Sequence, residues 1–221
     1  MTCAWAYSQA HGVPVTVHLD KKKTLGGQFG NKADSWNEIA ALFPGGIHWK
    51  WHKVEPASEA EWLAYLKKRG IDAETWMYED FPGKYYTPGL NIAPLLASFP
   101  LLEAAPQPQK LPEIFVTEQW DASCESRRLQ PAQKQEARKS YRCPVVTIGG
   151  EAQGHLRWSL KHIAHALSKA QFHIGVDSAF FHLAMLYLPM EQIHLYRKHD
   201  GAQSHHLNRA RANGAVVHDI V

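Results

Sequence analysis

Long apolar runs are missing from this chain. None approaches the ~18 residues that a membrane-spanning helix needs, so no spanning helix is expected. Residues 1–19 lack a basic start followed by an apolar stretch, the pattern of a secretory leader. Cysteine is scarce. Cys3, Cys124 and Cys143 are an odd count without metal-type spacing, which predicts reduced thiols in a cytoplasmic setting rather than a disulfide framework. Charge of one sign is also lacking. The 24 Lys and Arg against 21 Asp and Glu leave only +3, too little to indicate nucleic-acid binding by itself. No Asp-x-Asp pair offers itself to a metal, and there is neither an internal repeat nor a long low-complexity tract.

What is present suits a globular chain. With 221 residues, 45% of them apolar, it can bury a core without staples and build one large or two small domains. Strand and helix signals alternate. A β-branched run at 13–19 follows a His-Gly turn, and apolar residues at helical spacing over 35–43 stop at Pro44-Gly45-Gly46. Residues 47–54 alternate like a strand. Ser58 with Glu61 predicts a capping box for a helix that ends at Gly70, and 75–78 is a candidate strand. Several prolines lie between Tyr85 and Pro112, and 106–110 reads as a linker.

The second half is more regular. Strands are expected at 113–117, 145–148, 172–176, 193–196 and 215–217, and helices at 131–141, 159–170 and 178–187. Such alternation predicts an α/β fold with mostly parallel sheets covered by helices. The boundaries that follow are 1–105 for an N-terminal Rossmann-like domain and 113–221 for a C-terminal one.

Several side chains admit two readings. His162 and His165, three apart on a helix, could share a metal, but no cysteine or carboxylate completes a site, and a surface role serves as well. His205 and His206 form the other close pair. The run Lys21-Lys22-Lys23 is a solvated stretch or a contact for an acidic acceptor. Trp49 and Trp51, flanking Lys50, pack in a core or offer a stacking face to a sugar or base.

The segment 172–189, FHIGVDSAFFHLAMLYLP, is the most informative. It reads as a buried strand, a sharp turn and a helix, with Asp177 or Ser178 as the cap. A helix start at the carboxyl end of a parallel strand is where phosphates settle in open α/β sheets, because free amides and the helix dipole favour an anion. A plain cap without a ligand is the alternative.

The run Asp177, Ser178, Ala179, then His182, Leu183, Ala184 resembles the Asp-Ser/Thr-Gly-x-x-His-Leu-Ala pattern of glycosyltransferase family nine, the ADP-heptose:lipopolysaccharide heptosyltransferases. Leu167-Ser168-Lys169-Ala170 is similar to the helix end that precedes that strand in the family. The resemblance covers 113–189. It implies a GT-B fold of two Rossmann-like domains. It also implies transfer of a sugar from a nucleotide-diphosphate donor, such as an ADP-heptose, to an acceptor hydroxyl. The C-terminal domain would hold the donor, through amides from Ser178 to His182, with Asp177 and His182 ordering the loop. The resemblance further places the Thr117 hydroxyl and Arg127 or Arg128 against the phosphates and Glu151 at the ribose. Surface exposure accounts equally well for Arg127, Arg128 and Glu151. No cofactor or metal is expected if amides and arginines carry the diphosphate.

Two departures stand out. The family glycine is Ala179 here. The chain also opens on what resembles the helix after the family's first strand and Gly-rich loop, so the N-terminal, acceptor-side domain is expected to be incomplete. No base is evident, although Asp20, Asp34 and Glu38 are available. The expected partners are a nucleotide-sugar donor and a glycan or lipid acceptor, with DNA as another possibility. A non-catalytic nucleotide-binding relative and a viral-type DNA-base glycosyltransferase are the alternatives.

Overall fold

The computed structural model describes residues 2–19, 33–45, 47–73, 101–120, 122, 125–149, 158–198, 211 and 214–220. The chain divides into two compact units, Met1–Phe99 and Pro100–Val221. The candidate strand at 75–78, the run Lys21-Lys22-Lys23, Asp20, Glu151, Cys124 and the pair His205/His206 lie outside the described residues.

In the first unit, α1 (Thr2–His11) stops at Gly12, whose φ of +64° is the left-handed geometry that glycine adopts without strain. Strand β1 (Val15–Leu19) follows. After α2 (Ala33–Ala40) comes β2 (Ile47–Trp51), which pairs parallel to β1 from Val15↔Ile47 to Leu19↔Trp51. Parallel neighbours need a crossover, and α2 lies within that connection. The Trp5 indole donates to the Pro44 carbonyl at 3.3 Å, tying α1 to the turn before β2. Helix α3 (Glu59–Lys67) begins as the sequence implies. Ser58 Oγ accepts from the Glu61 amide at 3.2 Å, and Glu61 returns a bond at 2.7 Å, to the Ala57 amide rather than to that of Ser58. Gly70, at φ +70°, ends it.

The second unit is a five-stranded parallel sheet. Its elements are β3 (Val116–Gln119), α4 (Pro131–Lys139), β4 (Val145–Thr147), α5 (Leu160–Lys169), β5 (Phe172–Gly175), α6 (Ala179–Ala184), β6 (Ile193–Lys198) and β7 (Val216–Ile220). The spatial order is β4-β3-β5-β6-β7, every neighbouring pair parallel. Right-handed crossovers then send the β3–β4 connection and the β4–β5 connection to opposite faces. Val116, Ile174, Val176 and Tyr196 pack with Ala137 of α4 on one face. Helix α5 turns Leu160, Ile163, Ala164, Ala166 and Leu167 inward. This is an α/β architecture of parallel sheets, as expected.

The stretch expected to be a linker is bound to this unit. Gln109 donates to the His162 carbonyl at 2.7 Å, and the Leu102 amide donates to the Leu186 carbonyl at 2.7 Å. Leu102 is buried, and the division between units falls earlier, after Phe99.

Candidate functional site

The order β4-β3-β5 makes the carboxyl ends of β3 and β5 a switch point. The chain leaves β3 toward one edge of the sheet and leaves β5 toward the other, so no connection crosses the gap between them. The two strands end in register, Gln119 opposite Gly175. They also approach closely there. A Cβ at Gly175 would lie 2.4 Å from the Gln119 carbonyl oxygen, so only glycine fits.

Of the residues expected to meet a diphosphate, several converge on this corner. Ser178, extended at φ −151°, caps α6 and accepts from the Phe180 amide at 3.3 Å. Its hydroxyl donates to Gln119 Oε1 at 2.6 Å. Asp177 is buried, with its carboxylate 3.3 Å from Nη1 of Arg127. The Arg127 side chain, carried on the 3-10 turn Glu125–Arg127, is 41% exposed, so its outer edge remains open to solution. Ala179 is exposed and Ser178 half-buried, which leaves the start of α6 uncovered at those two residues.

Other expectations are corrected. Thr117 does not end its strand. It lies inside β3, fully buried, with its hydroxyl 3.4 Å from the Phe172 carbonyl and 3.1 Å from His173 Nδ1, so it faces no ligand. The strand runs from Val116 to Gln119 rather than over 113–117, and Gln119 holds the position assigned to Thr117. Arg128 turns its Nε to the Ala122 carbonyl at 2.8 Å, bracing the loop after β3. The amides expected from Ser178 to His182 are not all open, since the Phe180 amide is satisfied by the cap and the Phe181 amide bonds to the Ser178 carbonyl at 3.2 Å. Helix α6 is also short, six residues instead of the span 178–187. His182 is half-buried on it, its ring 4.9 Å from that of Phe181.

Gln119, Gly149, Gly175 and Phe180 form the floor of the corner, and their part was not apparent from sequence. Gly149 has φ +85°, and a Cβ there would come within 2.9 Å of the Phe180 ring. The Gly149-Gly150 pair after a strand was the one available signal, because a turn of this kind favours glycine.

Below the corner the sheet holds two buried ionisable groups. Glu118, 1% exposed, accepts from Nε of Arg138 at 2.6 Å and from Nη2. Thr147 donates to the same carboxylate at 2.7 Å and the Trp120 indole at 2.8 Å. Burial alone would raise this carboxyl. The hydrogen bonds from Arg138, Thr147 and Trp120, with the Arg138 charge, hold it below its ordinary value. His173, wholly buried, is pushed down to about 3 by burial, so its ring is neutral.

In the first unit the noteworthy arrangement is a histidine pair at the carboxyl ends of β1 and β2. His18 Nδ1 and His52 Nε2 are 3.0 Å apart. The edges of Trp62 and Tyr65 enclose the His52 ring, with centroids at 5.4 and 5.6 Å. Burial, and after it the Lys50 charge, lowers the pKa of His18. Glu38 is half-buried on α2. Trp49 donates to Asn37 at 3.1 Å, while Trp51 is 39% exposed. Among the described residues no three His, Cys, Asp or Glu are grouped to hold a metal. His162 bonds Ser159 at 2.7 Å instead. No described helix is long and apolar enough to cross a membrane.

Against known proteins, no family model matches the chain, and no curated protein or solved structure does.

Proposed function

We propose that the chain is a glycosyltransferase of GT-B type that takes its sugar from a nucleotide-diphosphate donor held by the second unit. One observation carries the reading. At the switch point of the parallel sheet, the open start of α6 at Ser178 and Ala179 lies beside an arginine anchored on Asp177 at 3.3 Å. Transfer from such a donor requires stabilising the negative charge that grows on the leaving diphosphate. The outer edge of the Arg127 guanidinium and the helix-start amides meet that requirement, and Asp177 holds the guanidinium in place. Ser178, engaged with Gln119 and the Phe180 amide, fixes the turn.

Nucleotide binding tests the reading. ADP- and UDP-sugars should raise the melting temperature of the protein, and Arg127→Ala should weaken binding about tenfold, or ~1.4 kcal/mol. Absence of any melting shift at millimolar nucleotide rejects the donor site.

A further inference from the structure

We propose that Tyr141, His194, Tyr196 and His218 form a binding site for a divalent transition-metal ion, with Cu(II) held most tightly. The topology gathers them. His194 and Tyr196 are two apart on β6 and share a face of the sheet. His218 of β7 is the register partner of Tyr196 and joins that face. Tyr141 arrives from the connection between α4 and β4.

Neighbouring donor atoms in the cluster are 2.6–3.5 Å apart. Tyr141 Oη is 2.6 Å from His194 Nδ1 and 3.2 Å from Tyr196 Oη. His218 Nε2 is 3.5 Å from His194 Nδ1. Two ligands bonded to one ion at about 2.0–2.1 Å are themselves ~2.9–3.4 Å apart; the Tyr141–Tyr196 separation falls in that range, the Tyr141–His194 separation is shorter and the His194–His218 separation slightly longer. A hydrogen bond explains the Tyr141–His194 contact. It explains the two facing imidazole nitrogens poorly, because 3.5 Å is long for such a bond.

The surroundings hold the rings in place. The Tyr196 and His218 rings stack at 4.4 Å and 13°. Phe172 closes one side, 5.1 Å from the His194 ring and 6.2 Å from that of Tyr141. Tyr141, His194 and His218 are half-buried, so an ion can reach them from solution.

Imidazole with phenolate oxygen is a donor set for Cu(II), which also stands highest among divalent first-row ions in general affinity. On binding, the Tyr141 hydroxyl loses its proton to solvent and its oxygen bonds the metal, with no change of oxidation state. This cluster draws on β6, β7 and the connection between α4 and β4, and shares no residue with the diphosphate corner.

The test uses the full chain carrying Cys143→Ser, because the half-buried thiol packed beside Tyr141 would reduce Cu(II). One equivalent of Cu(II) should produce a visible phenolate-to-copper charge-transfer band. Tyr141→Phe, which keeps the ring and its packing, should abolish that band, and His218→Gln should weaken copper binding at least tenfold. His162→Gln, on another element, should change neither. No charge-transfer band at equimolar Cu(II), or a band that persists in Tyr141→Phe, overturns the proposal.

Discussion

Two buried residues contribute to how the molecule should respond to acid. The unfolded His173 ring takes up a proton below its ordinary value of 6.5, but the folded ring resists until about 3. Across that window the unfolded chain binds more protons, so stability falls as pH falls. This one group contributes a slope of at most about 1.4 kcal/mol per pH unit. Glu118 acts in the same direction further down. Its folded carboxyl is held below the unfolded value, so its contribution is present above the unfolded pKa and is lost as pH drops through the folded one. Denaturant melts at several pH values should show declining stability below pH 6. His173→Gln should flatten the upper part of that decline, and an unchanged profile would contradict the assignment. Arg138→Ala should cost about 2–3 kcal/mol, less than a fully buried pair, because the arginine side chain is 46% exposed.

At the scale of elements, the close contact of β3 with β5 is the most exacting. Gly175→Ala places a methyl group 2.4 Å from a backbone oxygen that cannot rotate away, so the strands must separate. The expected cost is about 1–3 kcal/mol, read from the denaturation midpoint, and a neutral result would mean the register is looser than described. Ser58→Ala should remove about 1 kcal/mol through loss of the cap. These elements were unequally legible in the sequence. The box at Ser58 and Glu61, the amphipathic α5 and the turn into α6 follow from local patterns, and each forms near its expected place. Strand β3 was misplaced by two or three residues because Glu118 and Gln119 look like loop residues. They are buried because Arg138 and Ser178, distant in sequence, satisfy them. Only the sheet creates those partners. The Asp177-Ser178 corner was legible for the opposite reason, since strand, cap and helix are contiguous.

For the whole molecule, strand order decides where chemistry can occur, and order cannot be read from alternation alone. The sequence predicted parallel strands in two domains. The sheet adds that β3 and β5 are neighbours, which puts the helix cap at a switch point with an arginine beside it. The proposed transferase reading stands on that corner. Amide NMR of the intact chain titrated with ADP probes it most directly. The account predicts saturable shifts centred on Arg127, Gly149, Ser178 and Ala179, lost in Arg127→Ala. No shifts at millimolar ADP, or shifts confined to residues away from the ends of β3 and β5, would contradict it.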